Sequence, residues 1–250
     1  VALIGVGGGN TKIAFDLVGM GVGRMILVDP DKWEETNRNR VLIPPTHVGM
    51  AKARSVRRIL KEHYPEVEVD ALVAKAEDLP DDIYAEADLF IVGPDRWLVR
   101  EYGNKLALRL RKPAVFPAAG IQVKDEKISE MGGSVQVVIP SESPCFQCIN
   151  EIDTFTALKE VMSQEEKDRL TEKYGVSLDV DVSPSIVCLN DVIAGLAIWE
   201  AVKLITGIDR PTYFQYYDAL RNDLKPIKIS KNPQCPTSVS YTHLRAHETV

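Results

Sequence analysis

The sequence predicts an α/β protein: a Rossmann-like, doubly wound, mainly parallel sheet with a C-terminal antiparallel extension. Three observations predict it. Short apolar runs alternate with amphipathic stretches over the first half of the chain, the pattern of successive βαβ units. The first apolar run opens straight into clustered glycines, the turn by which such folds pass from strand to helix. From Gly132 onward β-rich segments and a proline turn replace the alternation.

The elements follow in order. Val1-Ala-Leu-Ile-Gly-Val-Gly-Gly-Gly-Asn10 reads as a buried strand turning into a helix over residues 10–20. Gly5, Gly7, Gly8 and Gly9 carry no Cβ, so the backbone there can take positive φ and approach a ligand. The free N–H groups of the next helix then face an anion. Asn10 stands where the fingerprint expects a third glycine, and Asn tolerates left-handed geometry better than most residues. A tight turn with no ligand is the competing reading. The second apolar run, residues 25–28, ends in Asp29, about 20 residues beyond the glycines, where a Rossmann-like unit sets an acid against ribose hydroxyls.

Further on, residues 49–63 and 97–111 read as amphipathic helices, and residues 67–74, 88–92 and 114–117 as strands. Residues 132–139 form a strand of the antiparallel region, followed by the Pro140-Ser-Glu-Ser-Pro144 turn. Residues 151–174 are strongly charged and predict a mobile helical excursion near a substrate entrance. Residues 186–205 are apolar but interrupted by Asn190, Asp191, Glu200 and Lys203, so they predict a buried or partner-facing helix, not a membrane span. Residues 212–217 and 226–229 read as late strands.

The segment after Asp29 is polar: Asp31, Asn37, Arg38 and Arg40 lie within it, and Lys52 follows. A nicotinamide cofactor needs little positive charge beyond its pyrophosphate site. A triphosphate needs more, because Arg and Lys neutralise its outer oxygens and the charge that builds as pyrophosphate leaves. Taken singly, Arg38, Arg40 and Lys52 have the usual fate of solvated surface cations; their place after the second strand makes them candidates. Asp95 follows the apolar run ending at Val92, at the carboxyl end of a parallel strand, where open α/β sheets collect ligands. Helix capping is its other reading.

Gly5-Val-Gly-Gly-Gly-Asn10, Asp29, Asn37-x-x-Arg40, Val48-Gly-x-x-Lys52-Ala, Gly93-Pro-Asp95, Pro144-Cys145-Phe-Gln-Cys148 and Cys235-Pro stand in a characteristic order and spacing. On these motifs the chain resembles the ThiF/MoeB/HesA family, the ubiquitin-activating-enzyme-like adenylyltransferases, up to about Thr237. The resemblance implies ATP-dependent adenylation of the C-terminal carboxylate of a ubiquitin-like or sulfur-carrier protein or peptide, with release of pyrophosphate. It implies nucleotide binding by Gly5, Gly7, Gly8, Gly9, Asn10, Asp29 and Asp31, with Asp29 on the ribose. Asn37, Arg40 and Lys52 are expected around the phosphates, and Asp95 on the nucleotide with its Mg²⁺. Arg40, Lys52 and Asp95 are the expected catalytic residues. Attack of a carboxylate on the α-phosphorus brings two anions together, so positioning and charge neutralisation must do the chemistry. Relatives commonly dimerise, so a homodimer is expected.

Cys145-x-x-Cys148 has the spacing to clasp a tetrahedral Zn²⁺. Cys235 offers a third ligand, and Ser238 stands where the family typically has a fourth; a hydroxyl is a poor zinc ligand. Unmetallated thiols and a redox pair are the other readings. Four cysteines suit a reducing, cytoplasmic compartment. The resemblance implies that members forming a thioester or persulfide carry a cysteine in the loop matching residues 176–182, which hold none here, and Cys188 reads as a buried packing thiol.

At 250 residues and 45% hydrophobic, the chain can bury one sizeable core. The domain is expected to run over 1–237, with a segment preceding Val1 and with 238–250 foreign to the family's own ending, so that His243 and His247 are not ligands. A net charge of −6 argues against a general nucleic-acid binder. It therefore disfavours the related reaction of dehydrating a modified tRNA nucleoside. A non-catalytic scaffold, favoured by Asn10 and by Arg96 beside Asp95, and an NAD-dependent dehydrogenase are the remaining alternatives.

Overall fold

The computed structural model describes residues 1–149, 160, 162–174 and 185–238. Its centre is β1 (Ala2–Ile4), fully buried because helices cover both faces of the sheet. β1 pairs in parallel with β2 (Arg24–Val28) on one side and β4 (Phe90–Val92) on the other, so that Leu3 sits opposite both Leu27 and Ile91. β3 (Glu68–Leu72) extends the sheet beyond β2, and β5 (Ala114–Lys124) extends it beyond β4. Three antiparallel strands complete it: β6 (Lys127–Val138), β7 (Phe214–Asp218) and β8 (Asp223–Pro226), for an order β3-β2-β1-β4-β5-β6-β7-β8. Chain order reverses between β1 and β4, which opens a crevice at the carboxyl ends of those strands.

Strand alternation sorts the core into two layers. Leu3, Leu27, Ile91, Val115 and Val137 face α1 (Gly8–Gly19), α2 (Lys52–His63) and, beneath the antiparallel half, a long helix over Val187–Thr206. Ala2, Ile4, Phe90, Val92 and Phe116 face α3 (Asp81–Ala85), α4 (Trp97–Leu110) and α5 (Phe146–Ile149). α6 (Gln164–Tyr174) precedes the long helix, which is α7. α7 buries Leu189, Ile193, Ala194, Ala197 and Ala201, and ends at Gly207 in the left-handed conformation (φ 67°). Among the described residues, no helix is long and apolar enough to cross a membrane.

Two elements differ most from the sequence reading. β5 and β6 form a much longer hairpin than the apolar runs at 114–117 and 132–139 indicated, turning at Asp125 and Glu126 with φ of 51° and 58°. Two successive positive φ values match the twist of a two-residue hairpin, but Asp-Glu is not the glycine-bearing pair that announces one. β8 occupies Asp223–Pro226, not 226–229: it pairs from Asp218 to Gln215 of β7, with one further bond from the Ile227 N–H to the Phe214 carbonyl. The charged 151–174 stretch carries α6 at its end; the rest of that expectation, apart from Glu160, Met162 and Ser163, lies outside the described residues.

Candidate functional site

The glycine loop is shaped by its neighbours. Gly5 has φ 82°, and a Cβ there would lie 3.1 Å from the Pro94 nitrogen, so the loop packs directly on the Gly93-Pro94-Asp95 turn. Asn10 does the work assigned elsewhere to a third glycine by a different route. Its Nδ2 donates to the carbonyls of Gly5 (2.6 Å) and Ile4 (3.3 Å), bracing the turn from inside, and the missing side chain of Gly93 makes room for it. Asn10 is only 2% exposed, so its side chain supports the loop and does not line its open face. Gly7 and Gly9 have no atom within 4 Å of where a Cβ would stand, and the N-terminus of α1 carries no side-chain cap. Open space above uncapped N–H groups fits a phosphate.

Asp29 ends β2 beside that loop. Its Oδ2 accepts from the Val6 N–H (2.6 Å) and its Oδ1 from the Asp31 N–H (2.8 Å). Burial pushes this carboxyl above its ordinary value, opposed by the Lys52 charge and the two N–H donors. Lys52, the first residue of α2, reaches back to Asp31 (Nζ to Oδ2, 2.9 Å) with its side chain only 14% exposed, and lies 5.6 Å from the Trp33 ring. Its backbone N–H also bonds the Asp31 carbonyl, so the two ends of the 31–52 loop are tied together at this point.

Arg40 enters through its backbone as well as its charge. Its carbonyl lies against Gly8 and accepts from Asn190 Nδ2 of α7 at 3.2 Å. Among the described residues its guanidinium has no ion-pair partner, whereas Arg38 pairs with Glu35. Asn37 is turned inward, accepting from the Glu34 N–H (3.1 Å) to cap a short 3₁₀ turn, so its amide is engaged in holding the loop.

Asp95 stands exposed at the mouth of the crevice, just past β4. It does not cap α4. Arg96 occupies that position, and the carboxylate of Glu160 accepts from the Trp97 and Leu98 N–H groups at 2.6 and 2.9 Å. Arg100 fixes the turn from below: its guanidinium donates to the carbonyls of Pro94 (2.8 Å) and Pro117 and sits 5.9 Å from the Phe146 ring. Burial lowers its pKa to about 10, against the Asp95 charge that favours the cation, so it remains charged at neutral pH. The sites of Gly5–Gly9, Asp29, Asp31, Arg40, Lys52 and Asp95 thus share one edge of the sheet.

The cysteines gather on the opposite face. Cys145 Sγ lies 3.6 Å from Cys148 Sγ and 3.7 Å from Cys235 Sγ, and Cys148 Sγ lies 3.4 Å from Ser238 Oγ. Two sulfurs on one tetrahedral zinc stand about 3.8 Å apart, so the Cys145 distances suit such an ion, with all three sulfurs within 4.8 Å of one another and Ser238 beside Cys148. Burial pushes the Cys145 thiol up to about 12, reinforced by the neighbouring sulfurs. Burial would raise Cys148 too, but hydrogen bonds from Ser238, Asn232 and Cys145 bring it below its ordinary value. A thiol like Cys145 is a poor redox nucleophile.

Four contributors were not singled out from sequence. Asn190 appeared only as an interruption of an apolar run; Arg100 is a lone cation on a helix; His47 and Ser55, buried and 2.9 Å apart, pin the 41–51 loop to α2. Cys188 is a correction: it is exposed, because α7 turns Leu189, Asn190 and Ile193 toward the core and leaves position 188 outside. Residues 176–182 and both His243 and His247 lie outside the described residues.

Comparison with known proteins bears on the family and the fold. The ThiF family model matches residues 1–237. Ubiquitin-like modifier-activating enzyme 5 of Gallus gallus is 24% identical over 248 residues, covering 94% of this chain and 57% of that protein. The chain therefore spans little more than half the length of the curated relatives it matches. The crystal structure of E. coli MccB is similar with a TM-score of 0.72 at 20% identity, over 95% of this chain and 64% of that one. E. coli MccB crystallised with ATP gives 0.68 at 21%, over 94% and 65%. At these identities the structural likeness shows the Rossmann-like fold alone.

Proposed function

The chain belongs to the ThiF family, and from that premise we propose that it adenylates a carboxylate with ATP. A carboxylate oxygen of a protein or peptide C-terminus attacks the α-phosphorus, the bond from that phosphorus to the bridging oxygen breaks, and an acyl-adenylate and pyrophosphate result. The observation that carries this reading is the open face over Gly7 and Gly9 with Arg40, Lys52 and Asp95 on the same sheet edge.

Each residue has a physical task. The first N–H groups of α1 bind a phosphate oxygen, and Asp29, already braced by two N–H donors, accepts from the ribose. Lys52 exchanges its Asp31 partner for phosphate, and Arg40, held at the loop by the Asn190 contact to its carbonyl, neutralises charge as pyrophosphate leaves. Asp95 is the residue to hold Mg²⁺, which supplies further neutralisation at the phosphates. Asn10 and Asn37 act by keeping the loops in shape. Cys145, Cys148 and Cys235 hold a structural Zn²⁺ that takes no part in the chemistry.

The E. coli MccB structure with ATP and the ubiquitin-like modifier-activating enzyme support both the nucleotide and a carboxylate-bearing partner of the ubiquitin-like, sulfur-carrier or peptide class. The exposed stripe of α7, with Val192 40% and Trp199 55% exposed, supports a homodimer. ATP–pyrophosphate exchange, run with a panel of ubiquitin-like proteins and peptides, tests the reading. Arg40→Ala or Lys52→Ala should slow exchange by about 10²-fold or more; exchange at the native rate in both would refute it.

A further inference from the structure

Helix α2 carries Lys52, Arg54, Arg57, Arg58 and Lys61 against one acid, Glu62, in a chain of net charge −6. Lys52 belongs to the crevice. The other four repeat at helical spacing and fall on one exposed face, over about 10 Å of helix. They line a groove of about 630 Å³ whose floor includes Ala71 of β3. Among the described residues, β3 is the outermost strand and pairs only with β2, which leaves its outer edge unpaired. Arg58 is engaged by Glu62 at 3.1 Å, and Lys61 bonds the Pro65 and Val67 carbonyls. Among the described residues, Arg54 and Arg57 have no hydrogen-bond or ion-pair partner.

Two unpaired guanidiniums over a small-residue floor, beside an open strand edge, form a concave cationic surface in an otherwise acidic molecule. We infer that the groove between α2 and β3 docks an acidic segment of a partner protein. Its carboxylates pair with Arg54 and Arg57 while its backbone lies along the β3 edge. The short cationic span suits two or three carboxylates. A nucleic acid would seek several more phosphate contacts than this short span offers. The groove descends from the crevice edge that Lys52 occupies, so a segment seated there comes from a partner already near the site. Naming that partner as the carboxylate donor rests on the adenylation reading; the docking itself does not.

Fluorescence anisotropy of a labelled short glutamate-rich peptide, with a labelled RNA of equal length in parallel, tests the inference. The peptide should bind the full chain at low salt, weaken as salt rises, and lose about tenfold or more in affinity in the double variant Arg54→Glu/Arg57→Glu, while ATP affinity by calorimetry stays unchanged. Equal peptide affinity in the variant, or RNA bound more tightly than the peptide, would overturn it. A failure of the adenylation reading shows separately, as absent pyrophosphate exchange in the unaltered protein with peptide binding intact.

Discussion

Gly8 and Gly9 are adjacent in the same helical turn, neither has positive φ, and alanine should act on them in opposite directions. A Cβ at Gly8 collides with the Arg40 carbonyl and stands 2.7 Å from Asn190 Nδ2. Neither neighbour moves freely, because one is backbone and the other is bonded to it. Gly8→Ala therefore forces the Arg40 loop outward, costing about 1–3 kcal/mol as overpacking. Breaking the Asn190–Arg40 hydrogen bond adds about 0.5–1.5 kcal/mol. The helical preference of alanine over glycine offsets at most about 1 kcal/mol. The net loss of roughly 1–3 kcal/mol should lower Tm by several degrees, at about 2–4 °C per kcal/mol for a chain of this size. Gly9→Ala meets open space and should be as stable as the native protein or slightly more so. Its methyl group stands where the phosphate is expected, so ATP affinity should fall about tenfold or more. Thermal unfolding and calorimetric titration read the two effects separately. Equal stability of the two variants would refute the packing argument, and native ATP affinity in Gly9→Ala would refute the phosphate cradle.

Three more expectations concern other parts of the molecule. Ser238→Cys supplies a fourth thiolate beside Cys148, so zinc retention against a chelator should rise, and Cys145→Ser should abolish it; retention unchanged by both would separate the cluster from metal binding. Because burial raises Asp29 above 3.8, the folded protein holds that proton more tightly than the unfolded chain. The contribution of Asp29 to stability therefore falls as pH climbs from about 3.8 to its folded value. Asp29→Asn should gain on the native protein across that interval in denaturant titrations, and a gap constant with pH would contradict the assigned burial. Asn190→Ala removes the bond to the Arg40 carbonyl and should slow pyrophosphate exchange more than it weakens ATP binding; a loss confined to ATP affinity would rule out the positioning role.

The parallel half of the fold was legible because its signals are local. An apolar run, a glycine cluster and an acid at the next strand end need no knowledge of distant residues. The cationic loop was legible for the same reason. Asn10 was noticed as an anomaly but its role was not, because the space for its amide comes from Gly93, far along the chain. Asn190 and Arg100 escaped notice on similar grounds: each acts by bonding a backbone carbonyl, and any sequence can supply a carbonyl. The β5–β6 hairpin was underestimated because residues 118–124 are supported mainly by pairing, with few buried side chains to leave a period-two trace.

Cys145 and Cys235 touch although 90 residues separate them. The chain between them is also anchored by α7, packed on α1, and by β7, paired with β6, so what is free to vary is a loop within it, and a loop grows cheaply: doubling its length costs only about 0.6 kcal/mol in closure entropy. Insertions between Ile149 and Glu160 should leave the glycine crevice intact, because α5 on one side and the Glu160 contacts to α4 on the other hold the ends, which lets that stretch be remodelled without refitting the site.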